Sequence, residues 1–231
     1  MTDTTTTEGE RLTWASIVAR GAESEQFLQG QLSNDLSSLP ADGRWALVLA
    51  PDSVVVTSCL VSALDDGYSL TVPRSLGEAA LVRLRRFLLR TKCSLELADA
   101  DSGPYETTKQ LIDAGVPGAR EFAAGLTPHS FGASFVAATV SFTKGCFTGQ
   151  ELVGRLDARG SSVPWRLVRA VGPTVERLEE VVTSKGPRGP QGVTSWVADG
   201  ATVRALAVVH RTLLSPDSLT AFDDVALEAI A

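Results

Sequence analysis

Residues 144–151 read Lys-Gly-Cys-Phe-Thr-Gly-Gln-Glu and place an amine, a thiol and a carboxylate within eight positions. A thiol, Cys146, follows an amine, Lys144, by two positions. The thiolate is the reactive form of cysteine, and a nearby cation or helix N-terminus lowers the thiol pKa. Lys144 supplies a cation, and a helix-compatible run, Gly149 to Leu156, begins just downstream. Gly145 and Gly149 bracket the thiol and permit a tight bend or close approach to a ligand. Glu151 stands near the helix start, where a carboxylate is favoured, and Arg155 lies at i, i+4 from it. The same pattern admits a plainer reading, in which Cys146 is a small packing residue and the charges are surface groups.

Other candidate groups are fewer. In Gln29-Gly30-Gln31-Leu32-Ser33-Asn34-Asp35, the amide of Asn34 and the carboxylate of Asp35 could hydrogen-bond a pterin-like heterocycle, or could simply serve a helix exit. Arg83, Arg85, Arg86, Arg90 and Lys92 crowd one helix end. Cations there complement the helix dipole, and the alternative is an anion site. No aromatic interleaving supports a nucleic-acid face, and direct nucleic-acid binding is not expected. Cys59 and Cys93 fall in strand-like apolar segments and read as buried, inert thiols. No Cys-x-x-Cys occurs, and His129 and His210 are isolated, so no metal site is expected. Gly-x-Ser-x-Gly, the P-loop and Gly-x-Gly-x-x-Gly are all absent.

The elements that must position these groups follow from periodicity and punctuation. Leu12 to Ala19 reads as a strand and Ala22 to Ser33 as a helix, with Asn34 suited to a left-handed exit. Trp45–Ala50, Val54–Leu64 and Tyr68–Val72 read as strands, with Asp65-Asp66-Gly67 as a hairpin turn. Ser75 and Glu78 have capping-box spacing for the helix carrying Leu76, Ala80, Leu84, Phe87 and Leu88. Cys93 to Leu97 returns as a strand. Glu106 to Ala114 reads as a helix ending at Gly115, and glycines and prolines between 117 and 132 predict irregular structure. Beyond 160, Trp165–Val171, Val193–Ala198 and Val203–Arg211 read as strands with no strong helix, the pattern of a small β-barrel.

The chain has 231 residues, a net charge of −6, 44% apolar and 21% charged residues, a composition ordinary for a soluble protein. No apolar run reaches the roughly 18–20 residues that span a bilayer. The acidic, Thr-rich residues 1–10 lack the layout of a secretory signal and read as a disordered tail. The expected location is the cytoplasm.

The octapeptide resembles the signature of the YgfZ family, folate-binding relatives of the glycine-cleavage T-protein. Gly21-Ala22-Glu23 through Asn34-Asp35, Leu84-Arg85-Arg86-Phe87 through Lys92, Gly115-Val116-Pro117 and Gly192-Val193-Thr194-Ser195 are similar to further family segments. The resemblance implies an α+β, T-protein-like multi-module fold around a central opening that can hold tetrahydrofolate, with a C-terminal small β-barrel. On that basis the expected modules are 11–98, 99–160 with the signature, and 161–231. The resemblance further implies a folate-binding accessory role in iron–sulfur cluster assembly or repair. Its expected partners are iron–sulfur client proteins, including enzymes that thiolate tRNA, or the assembly machinery. Cys146 and Lys144 would carry the chemistry, while Asn34, Asp35, Gly149, Gln150, Glu151 and Arg155 would bind the cofactor. The alternatives are a folate-dependent one-carbon (aminomethyl) transferase and a scaffold that has lost its ligand. The chain departs from the family pattern in places. Pro51-Asp52-Ser53-Val54 stands where relatives tend to carry Pro-Lys-Gly-Arg, and Pro128-His129-Ser130 where they tend to carry Pro-x-Glu. Ser58 falls where the T-protein has a catalytic aspartate. A serine cannot carry a carboxylate's charge near neutral pH, which speaks against aminomethyl transfer.

Overall fold

The computed structural model describes residues 9–160, 162–215 and 222–230. In chain order the elements are β1 (Trp14–Arg20), α1 (Ser24–Gln31), β2 (Arg44–Leu49), β3 (Val55–Leu64), β4 (Gly67–Pro73), α2 (Arg74–Arg85) and β5 (Ser94–Ala100). Then follow α3 (Thr108–Ala114), α4 (Ala119–Phe122), α5 (Ala133–Thr139), α6 (Gln150–Ala158), β6 (Trp165–Gly172), α7 (Val175–Val182), β7 (Gly192–Asp199), β8 (Thr202–His210) and β9 (Ala226–Ala229). Two compact units result. One holds Thr13–Pro104 and Val136–Gly160; the other holds Tyr105–Phe135 and the described residues before Thr13 and after Gly160.

The first unit is built on a five-stranded sheet in the order β2-β3-β4-β1-β5. All its pairs are antiparallel. In β1 the alternation is plain: Ala15, Ile17 and Ala19 are buried, while Ser16 and Val18 between them are half-buried. This period of two points one face of the strand at the helices. Phe27 and Leu28 of α1 and Ala80, Leu81 and Leu84 of α2 close over that face, joining Val61, Leu70, Val72 and Leu95 in one core. Each fully buried Leu or Ile contributes about 1.5–3 kcal/mol relative to exposure.

The expected hairpin forms: Leu64 pairs with Gly67, leaving Asp65 and Asp66 as the turn. The expected capping box at Ser75 and Glu78 does not. β4 runs directly into α2 at Arg74, with Pro73 still paired to Trp14. The Arg74 amide donates to the Thr13 carbonyl at 2.9 Å, so the neighbouring strand's lead-in replaces a side-chain cap. Helix α1 is shorter than the pattern implied. Leu32 is already extended (φ −99°, ψ 151°) and bridges to Val48. Asn34 does not take the expected left-handed exit; among the described residues the non-glycine positive φ values belong to Ser53 and Arg90.

The second unit carries an antiparallel sheet in the order β7-β8-β6-β9. Here the expected small β-barrel is corrected to an open sheet, because β9 pairs with β6 and does not return to β7. At four residues, β9 covers only part of its neighbour. The unit also holds a helix that the valine-rich sequence concealed. Thr174 caps α7 by accepting from the Arg177 amide at 3.1 Å, and Leu178, Val181 and Val182 are buried along it. Helix α3 ends at Gly115 (φ 65°) as expected but starts at Thr108, not Glu106, where Thr107 and Gln110 form a capping box. Residues 1–8 of the anticipated tail lie outside the described residues. Glu10 is engaged, its carbonyl accepting from the Thr108 amide at 2.9 Å. Among the described residues no helix is long and apolar enough to cross a membrane.

Candidate functional site

The octapeptide lies in the five-stranded unit, running from the loop after α5 into the first two residues of α6, and is tied down on both sides of its cysteine. A helix leaves its last carbonyls without intrahelical donors. At the end of α1 those acceptors are met by Lys144. Its ammonium donates to the carbonyls of Gln29 at 2.7 Å, Leu32 at 2.8 Å and Asn34 at 2.9 Å. Burial pulls the Lys144 pKa down to about 8, with the Asp35 carboxylate working in the opposite direction. The ammonium also lies 5.4 Å from the ring centre of Phe147, which is itself buried. Lys144, read from sequence as the thiol's cation, thus has all three of its hydrogens engaged by backbone carbonyls.

The downstream anchor is Thr148 and Gly149. The Thr148 amide donates to the Gly30 carbonyl at 3.2 Å, and its hydroxyl to Gln31 Oε1 at 3.3 Å. The same Gln31 oxygen accepts from Arg83 Nη1 at 3.0 Å, while Arg83 Nε reaches the Leu49 carbonyl at 2.6 Å. Gly149 sits at φ 83°, where a Cβ would lie 2.8 Å from the Ala50 carbonyl oxygen and 3.0 Å from Leu49 Cβ.

The Gly149 carbonyl accepts from Ser53 Oγ at 2.6 Å. Ser53 is buried at φ 70°. Left-handed backbone costs a non-glycine residue about 1–2 kcal/mol, and the hydroxyl bond returns about 1 kcal/mol. Ser53→Ala should therefore lose about 1 kcal/mol, since it keeps the strain and drops the bond. Ser53→Gly should be close to neutral; urea titration of both variants measures the two terms.

Between these anchors Gly145 and Cys146 are exposed. The Cys146 side chain has no hydrogen-bond partner among the described residues, and Gly145 has nothing within 4 Å of a would-be Cβ. Helix α6 starts at Gln150. One turn in, Arg155 pairs with Glu151 at 2.6 Å on an exposed face.

Asn34 and Asp35 lie against the Lys144 anchor. The Asn34 side-chain amide donates to the carbonyls of Trp45 at 2.8 Å and Ala138 at 3.1 Å, and its oxygen accepts from the Asp35 amide at 2.9 Å. Its side chain is thereby committed inside the protein. Asp35 Oδ1 accepts from Gln29 Nε2 at 2.6 Å and the Ser37 amide at 3.0 Å. The Ser37 amide first, and then the Gln29 amide, hold the Asp35 pKa down at about 2 against an ordinary 3.8. A carboxyl depressed in the folded state stabilises the fold above its unfolded pKa and loses that contribution as pH falls through the folded pKa. Melting temperature should thus fall as pH drops from about 4 to about 2, and Asp35→Asn should flatten that limb of the profile.

Lys144, Asn34 and Asp35 are brought together, Gly149 anchors the same loop, and Glu151 and Arg155 pair with each other one turn along α6. Sequence reasoning missed Arg83, Gln31 and Ser53 as supports. The available signal was position: Arg83 falls three after Ala80 and four before Phe87, on the apolar stripe of α2. Ser58 is buried in β3, and His129 is buried too. Cys59 is fully buried, its thiol pushed up to about 12 by burial. Cys93, expected to be buried, is half-buried just ahead of β5. Among the described residues, no three His, Cys, Asp or Glu side chains group so as to hold a metal ion.

No family model matches the chain, and no curated sequence does. A solved structure is similar: glycine cleavage system aminomethyltransferase T from Bartonella henselae, with a TM-score of 0.59 and 14% identity. The match covers 97% of this chain and 86% of that one. The mixed architecture with two antiparallel sheets is thus the fold of that aminomethyltransferase.

Proposed function

We propose that this protein is a YgfZ-type, folate-binding accessory protein of the cytoplasm that serves iron–sulfur cluster assembly or repair. The observation that carries this reading is an exposed thiol on a loop clamped on both sides, at Lys144 and at Thr148–Gly149. A packing cysteine needs neither the exposure nor the clamps. Cys146 would offer a thiolate to a client's cluster, which is cargo and not a resident group. The likeness in fold to an aminomethyltransferase supports the same reading. Ser58, buried in β3 without a carboxylate to offer, weighs against aminomethyl transfer itself.

Tetrahydrofolate brings a hydrogen-bonding pterin edge and anionic carboxylates, and its reduced ring, when bound, carries one-carbon units. The five-stranded unit has groups that answer it. Arg83 Nη2 is buried without an acceptor among the described residues, and the half-buried Gln150 side chain makes no hydrogen bond within them. Arg83, Gln150 and Asp35 would hold the group. Asn34, with its amide committed internally, would shape the loop. Calorimetric titration of folate-free protein with tetrahydrofolate should give saturable heat. A flat titration at millimolar ligand would remove the cofactor from the proposal.

A further inference from the structure

We propose that Arg83 and Arg86, at the end of α2, form an oxyanion site that takes a carboxylate or phosphate group of a ligand. A charge removed from water is ordinarily paired with an opposite charge. Arg83 is only 7% exposed. Its Nε and Nη1 donate to neutral acceptors, the Leu49 carbonyl and Gln31 Oε1. Its Nη2 is buried with no acceptor, and no carboxylate pairs with the guanidinium among the described residues.

The adjoining chain adds positive charge. Arg86 follows three residues later, exposed, and close enough to help burial lower the Arg83 pKa to about 10. Residues 79–95 contain Arg83, Arg85, Arg86, Arg90 and Lys92 and no Asp or Glu. Arg85 is directed elsewhere, to the Leu95 carbonyl at 2.9 Å. Glu23 is met by the Lys92 backbone amide at 2.8 Å, not by a guanidinium. A guanidinium with one uncommitted nitrogen beside a second guanidinium suits the two oxygens of a carboxylate or phosphate.

The Phe87 ring lies over the Arg83 guanidinium, its centre 4.8 Å from the central carbon. An anion enters as that ring turns aside; Phe87, 41% exposed, stands at the surface. Gln31 links the site to the signature loop through the Thr148 hydroxyl. On the folate reading, on which only the ligand's identity rests, the anion is the glutamyl tail.

The test uses folate-free full-length protein, the arginine Nε–H signals in NMR, and calorimetry. The probes are a γ-linked triglutamate peptide, inorganic phosphate and tetrahydrofolate. Triglutamate should shift the Arg83 Nε–H signal and bind Arg86→Gln about tenfold more weakly than wild type, the loss of one charge-assisted contact. Arg83→Lys, which keeps the charge and loses the fork, should weaken it at least as much. A response to phosphate but not triglutamate keeps the site and assigns it a phosphate ligand. A response to triglutamate without tetrahydrofolate binding keeps the site and removes the folate reading. Tetrahydrofolate binding with an unmoved Arg83 signal under all three probes, or equal triglutamate affinity in wild type and Arg86→Gln, overturns the site.

Discussion

Lys144→Met should cost about 3 kcal/mol of folding stability, read as a lowered urea midpoint. The substitution keeps most of the aliphatic stem and removes the ammonium. Three carbonyls at and just beyond the end of α1, those of Gln29, Leu32 and Asn34, then lose their donor. A buried acceptor left without a partner costs about 1–3 kcal/mol. Part of that loss is offset because the half-buried ammonium no longer has to be desolvated. The prediction separates two roles for the same residue. An amine acting only on a substrate would leave the midpoint unchanged and remove activity. An anchor moves the midpoint first, and loosens the 141–149 loop to protease before the rest of the unit.

Gly149→Ala should be as damaging, again about 3 kcal/mol, while Gly145→Ala should stay within about 0.5 kcal/mol of wild type. Both glycines flank the same cysteine, so sequence treats them alike. The backbone does not. Gly149 needs φ 83° and has the Ala50 carbonyl 2.8 Å from a would-be Cβ, a backbone atom that cannot swing away. Gly145 has open space on the corresponding side. Equal stabilities for the two variants, in paired denaturation curves, would contradict the placement of the loop.

What the sequence made legible was local. The first strand, the Asp65–Asp66 turn and the helix ending at Gly115 are each determined within a few residues, and each appears in the fold. The failures are cases where a distant strand outweighs a local signal. Ser75 and Glu78 have capping-box spacing, but the Thr13 carbonyl already meets the Arg74 amide. Asn34 has the chemistry of a helix exit, but its amide bridges Trp45 and Ala138. In α7, the valines at 175, 181 and 182 favour strand by propensity, and burial of Leu178 and Val181 against the sheet decides for helix.

The candidate site shows the same division. The octapeptide, as a thiol between an amine and a helix start, could be read from residue types and spacing; the exposure of the thiol could not. The work done by its lysine could not, because the carbonyls it meets lie more than a hundred residues earlier in the chain. Arg83 was hidden by its company: five cations close together read as a solvated helix end, and only packing shows that one of them is inside.

The central claim is that the Cys146 thiol, and not merely the loop that carries it, is the working group. Cys146→Ala trims an exposed side chain with no hydrogen-bond partner among the described residues, so its melting temperature should match that of wild type. The decisive measurement is iron–sulfur enzyme activity in cells lacking this protein and supplied with either form. The account predicts restored activity with wild type and none with Cys146→Ala at equal protein level. Full restoration by Cys146→Ala would contradict it.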